Sequence, residues 1–168
     1  MSKLDYNKQL LIAGMLFTLH NIEEAIGFSR FVYPDNFPLS IRIHTDNNMI
    51  LTVGMITVIA WILILWANIQ PNELNRKNLL LIFVSVFIGN AFFPHIVGTL
   101  VLQRYFPAVI TSIILYLPYS IWIISKLYRS YPNRNHFFVI LIAGLTLAAG
   151  LVLIMHFFVN RFSQFIVI

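Results

Sequence analysis

At 168 residues, 59% apolar, 10% charged and with a mean hydropathy of +0.81, the chain is unlike a soluble domain, where roughly a quarter of residues are charged. So small a chain cannot bury that much hydrocarbon, and most helix faces must meet lipid. The formal charge of +5 resides in short connections, where anionic headgroups account for it with no nucleic-acid partner, and the absence of cysteine excludes disulfides, Cys-ligated zinc and thiol catalysis.

These features predict an all-α, polytopic membrane helix bundle, one embedded domain with about five transmembrane helices of ~20 residues each. Span one covers 9–28. Lys3 and Lys8 before an apolar run and Ala25-Ile26-Gly27 imitate a secretory signal, but the site would follow two glutamates, and cleavage would discard the most unusual polar cluster in the chain. The first connection, 29–47, is the longest, and its Phe31, Val32, Tyr33, Phe37 and Leu39 could rest in the interface as a lid. Span two, 48–68, ends before Gln70-Pro71-Asn72-Glu73. Span three, 78–101, contains Pro94, which removes a helix hydrogen bond and kinks the span. Gln103-Arg104-Tyr105-Phe106-Pro107 reads as a tight turn at the mouth of a pocket. Span four, 108–127, should begin at about Pro107, with proline at the first helical position. Tyr131-Pro132-Asn133-Arg134 precedes span five, 137–159.

Orientation follows from Lys and Arg. Lys3, Lys8, Arg76, Lys77, Lys126, Arg129 and Arg134 fall on one side, against Arg30, Arg42, Arg104 and Arg161 on the other, which puts the N-terminus in the cytoplasm and the protein in the cell membrane.

His20, Glu23 and Glu24 lie in span one at i, i+3 and i+4, on one helical face. A charged side chain near the bilayer centre costs about 2.5–3.5 kcal/mol, so this face should look inward. Counting ~1.5 Å per residue puts Asn90 and His95 of span three at overlapping depth, with His156 of span five nearer the membrane surface. Spans two and four run the other way, and their beginnings, with Thr52, Thr111, Ser112 and Tyr116, reach the same height. The expected reactive group is therefore His20, Glu23, Glu24 and His95, supported by Asn90, Tyr105, Thr111, Tyr116 and His156.

His20-Asn21-Ile22-Glu23-Glu24 resembles the signature of the HXXEE family of small bacterial membrane proteins. His95, with Asn90 before it, looks like that family's second histidine region, and Tyr105-Phe106-Pro107-Ala108 is similar to its Tyr-X-Pro-Gly motif, with Ala108 in place of the glycine. The family's function is undefined, so the resemblance implies a site without a reaction.

Three functions fit these residues. The first is an enzyme acting on a lipid-like hydrophobic substrate drawn from the membrane lipids, by acid–base chemistry or with a divalent metal held by His20, Glu23, Glu24 and His95. The zinc-protease sequence His-Glu-x-x-His is absent, and so are the multi-histidine clusters of membrane desaturases. The second is a proton-coupled transporter, since intramembrane Glu and His are parts of proton relays, though no inverted repeat is visible. The third is an accessory membrane protein whose polar cluster holds helices together.

Overall fold

In a bilayer the backbone must close its own hydrogen bonds, so each long apolar run folds as a helix. A computed structural model describes the backbone of residues 4–34 and 47–162, with side chains throughout the first stretch, from 50 to 151 in the second, and at 153. The helices are α1 (Tyr6–Phe28), α2 (Asn47–Asn68), α3 (Glu73–Asn90), α4 (Val97–Leu102), α5 (Val109–Thr111), α6 (Leu117–Ser130) and α7 (Arg134–Phe162). A kink at Phe93–Pro94, within Ala91–Ile96, joins α3 to α4, and a wide π turn at Ser112–Tyr116 joins α5 to α6. Among the described residues there is no strand, and five helices are long and apolar enough to cross a membrane. The expected all-α bundle of five such helices is borne out, which fits a multi-pass membrane protein.

Side-chain caps start three of these helices. Asp5 accepts from the Lys8 N–H at 3.2 Å, Asn72 from the Leu74 N–H at 2.8 Å, and Asn133 from the N–H groups of Asn135 and His136, each answering orphan donors of a first turn. Between α4 and α5 the chain leaves the helix as a turn. Helical structure resumes at Val109, later than the expected start at Pro107. Ala108 takes φ 62° and ψ 13°, a left-handed conformation that cannot propagate a right-handed helix.

Leu10, Ala13 and Phe17 of α1 bury against Leu80, Leu81, Val84 and Phe87 of α3 and Ile123 and Leu127 of α6. The α3–α7 seam is the tightest contact: a Cβ on Gly144 would lie 2.5 Å from the Ser85 Cβ and 3.0 Å from the Ile82 carbonyl, so only glycine permits this approach. Outward faces carry half-exposed or more exposed apolar residues such as Leu51, Val58, Leu65, Ile114, Ile121 and Ile142, as a lipid-facing surface requires. Of the expected lid, Phe31 packs edge-on against Phe28, Tyr33 and Phe106, and Val32 is exposed. Phe37 and Leu39 lie outside the described residues.

Candidate functional site

Phe93, ahead of Pro94, leaves helical geometry at φ −128° and ψ 118°, as residues before proline tend to. The kink this makes presents His95 to the bundle interior, where it is fully buried. His20 of α1, also fully buried, meets it there, with the two Nε2 atoms 3.2 Å apart and the rings edge to face. The Asn90 side-chain amide nitrogen sits 2.9 Å from the His20 Nε2 and 3.4 Å from the His95 Nε2. Both Nδ1 atoms point away from this meeting place. That of His95 donates to the Pro107 carbonyl at 2.5 Å; that of His20 lies 2.9 Å from the Thr111 hydroxyl, which also reaches the Ala108 carbonyl at 3.3 Å. The Tyr116 ring stacks on His20 at 4.2 Å and on Phe87 at 4.0 Å, and fixes the imidazole plane.

The two glutamates part company. Glu24 is 7% exposed, and among the described residues its carboxylate has no hydrogen-bond or ion-pair partner. One Glu24 oxygen and one nitrogen from each of His20 and His95 lie within 4.8 Å of one another. Beside Glu24 is a cavity of about 30 Å³, lined in part by Asn21, Asn90 and Tyr116, enough for about one water. The Tyr116 hydroxyl is buried without a hydrogen-bond partner among the described residues. Glu23 instead turns toward the start of α5, where its carboxylate accepts from the Thr111 N–H at 2.8 Å, the Ile110 N–H at 3.3 Å and the Tyr105 hydroxyl at 2.7 Å. A carboxylate at that position answers orphan donors and the positive end of the helix dipole. The Tyr105 hydroxyl, in the turn outside the spans, is pushed up to about 12, by burial first and then by the Glu23 carboxylate it serves.

A family described as "Protein of unknown function with HXXEE motif" matches residues 11–123, a stretch that runs from α1 into α6 and contains both histidines, both glutamates and the turn. The chain belongs to the HXXEE family. It is similar to the Uncharacterized protein YrkK of Bacillus subtilis (strain 168), with 29% identity over 112 residues, 66% of this chain and 69% of that protein. No solved structure matches it.

Within this HXXEE chain, the structure brings His20, Glu24 and His95 together and flanks them with Asn90, Thr111 and Tyr116. Glu23 and Tyr105 form a separate pair at the head of α5. His156 is on α7, but its side chain is outside the described residues. Sequence reasoning did not single out the Pro107 carbonyl, a backbone group that no residue type advertises. It also missed Asn21, which donates to the Thr57 hydroxyl at 2.6 Å and lines the cavity; a polar residue inside the motif was a legible signal. The walls formed by Ala148 and Leu151 of α7 lie beyond the stretch that matches the family and carry no chemical signature.

Proposed function

We propose that this HXXEE protein is an enzyme of the cell membrane, N-terminus in the cytoplasm, that acts on a lipid-like hydrophobic substrate at the His20–Glu24–His95 site by acid–base or metal-assisted chemistry. The observation that carries this reading is a wholly apolar groove of about 210 Å³ between α2, α3 and α7. Its lining includes the outward Ile59, Leu63 and Leu147. Phe17, Ile56, Val86 and Leu151 line both this groove and the small polar cavity at Glu24. An apolar chain seated in the groove from the bilayer would therefore lie against the walls of the Glu24 cavity. Clefts lined by apolar groups around a few convergent polar ones are where small hydrophobic ligands bind, and ionisable residues in transmembrane helices are functional by default.

The test is incubation of the purified protein, reconstituted in nanodiscs, with a bacterial lipid extract, followed by lipid mass spectrometry. Species should be consumed or formed by the wild type, not by Glu24→Gln, and more slowly by Ala60→Phe, which narrows the groove away from the polar cluster. Lipid profiles identical for all three would overturn the enzyme reading. Orientation is checked separately with an impermeant thiol reagent, since the chain has no native cysteine. Ser29→Cys should label in intact cells and Pro71→Cys should not; the reverse result inverts the topology.

A further inference from the structure

We propose that His20 and His95, through their Nε2 atoms, and Glu24, through a carboxylate oxygen, chelate one divalent first-row transition-metal ion. The inference deepens the enzyme reading, on which it rests, by choosing metal-assisted over purely acid–base chemistry, and it concerns three of the four residues expected from the sequence. Glu23, committed to the head of α5, is not a ligand.

Four observations converge. The Nε2 atoms are 3.2 Å apart, and two nitrogens at ~2.05 Å from a tetrahedral ion are separated by ~3.3 Å, so the histidines already have the bite of a metal chelate. A Glu24 oxygen lies within 4.8 Å of one nitrogen of each ring; closing to a coordination edge takes a movement of about 1.5 Å, within reach of a flexible side chain next to a cavity. The Nδ1 atoms are engaged in the manner of metal-ligating histidines, which hand their second N–H to a carbonyl or another acceptor: His95 to Pro107, His20 to Thr111. Finally, Glu24 is buried with no cation and no donor among the described residues. A buried charge must be paired or coordinate a metal, and no Lys or Arg among the described residues pairs with it.

Proton bookkeeping allows both the bare and the loaded site. Without metal, the His20 Nδ1–H donates to Thr111 and the Asn90 amide N–H groups face the Nε2 lone pairs of both rings. With metal, the His20 proton stays on Nδ1 and is donated to Thr111, whose own hydroxyl turns to the Ala108 carbonyl 3.3 Å away. Both Nε2 lone pairs are then free, and no proton is gained or lost on either ring. The Asn90 amide, next to both Nε2 atoms, can rotate to offer its oxygen as a fourth donor, and the 30 Å³ cavity leaves room for a water ligand. Two imidazoles and a carboxylate without thiolate suit zinc, iron(II), manganese or cobalt over copper(I), and imidazole sets the site apart from the all-oxygen sites of magnesium and calcium.

The experiment uses the full chain in detergent, freed of any polyhistidine tag and stripped with a chelator. It is titrated with Zn²⁺ by calorimetry, with Co²⁺ by visible absorption, and with Mg²⁺ as the control. One equivalent of Zn²⁺ or Co²⁺ per chain should bind, with cobalt bands of a nitrogen–oxygen site. Glu24→Gln, His20→Gln and His95→Gln should each weaken binding by roughly 100-fold or more, and Thr111→Val, which removes the acceptor of the His20 Nδ1–H, by roughly tenfold; His136→Ala should leave it unchanged. Helical circular dichroism and a single gel-filtration peak establish that each variant is folded, and Glu24→Gln, which keeps the volume, decides the case if a histidine variant does not fold. Absence of stoichiometric binding to the folded wild type, or binding indifferent to all three ligand substitutions, overturns the metal site and leaves the lipid-turnover test untouched. Stoichiometric binding with no lipid turnover upholds the site and removes the enzyme reading.

Discussion

Glu23 and Glu24 are chain neighbours, yet the regions they enter are built on opposite principles. Around Glu23 every polar group is answered: two backbone N–H groups and the Tyr105 hydroxyl share one carboxylate. Nearby, the Arg104 guanidinium donates to the Val32 carbonyl and lies over the Phe31 ring. Around Glu24 the polar groups are under-answered, with a bare carboxylate and a buried tyrosine hydroxyl beside a small cavity. The first region holds the turn that positions Pro107, Ala108 and Thr111 under the histidines. The second leaves buried polar groups without partners, the cost in stability that the proposed site would carry.

The contrast is broken most directly by thermal unfolding of chelator-treated variants. Glu23→Ala strands three donors and should cost about 3 kcal/mol. Glu24→Gln, which removes an uncompensated buried charge at constant volume, should leave the melting temperature unchanged or raise it. Equal losses in the two variants would make Glu24 a structural residue and erase the distinction.

Gly27→Ala probes the clamp from the other side. The new Cβ would lie 2.7 Å from the Pro107 Cβ and 3.0 Å from its Cα, and because a backbone atom is involved the turn must shift, at a cost of about 2 kcal/mol. Melting measurements check it; no change would mean that the turn is looser than the contact with α1 implies.

Tyr105→Phe removes one of the three hydrogen bonds to Glu23 and should cost about 1 kcal/mol at neutral pH. The pH dependence sharpens this. The hydroxyl is raised from its ordinary value of 10 to about 12, so its contribution is complete below pH 10, where the unfolded phenol is also protonated, and is lost as pH rises toward 12. Denaturation profiles across that window should fall less steeply for Tyr105→Phe than for the wild type.

The smallest effect is expected at Ala108→Gly. A non-glycine residue at φ 62° carries a left-handed strain that glycine lacks, partly cancelled by glycine's greater unfolded-state entropy. A gain of about 0.5 kcal/mol should appear as a slightly raised melting temperature; a fall would show that the methyl packing, in a fully buried position, outweighs the strain.

Five apolar runs with charged, proline-rich breaks were legible in the sequence because membrane helices are written in composition and length, both local properties. So was the meeting of His20 with His95 and Asn90, since depth along spans that run in the same direction can be counted at a fixed rise per residue. Tertiary structure decided the rest. Consecutive residues differ by about 100° around a helix axis, so the motif permits either glutamate to face the histidines; the rotation of α1 in the bundle, where Gly27 packs closely on Pro107, sends Glu24 in and Glu23 to the head of α5. Pro94 announced a kink, but how far that kink turns His95 inward, and the Pro107 carbonyl that orients it, depend on backbone geometry, which side-chain identity does not encode residue by residue. The groove between α2, α3 and α7 exists only where three separately folded helices meet, and no single stretch of sequence describes a space between three others.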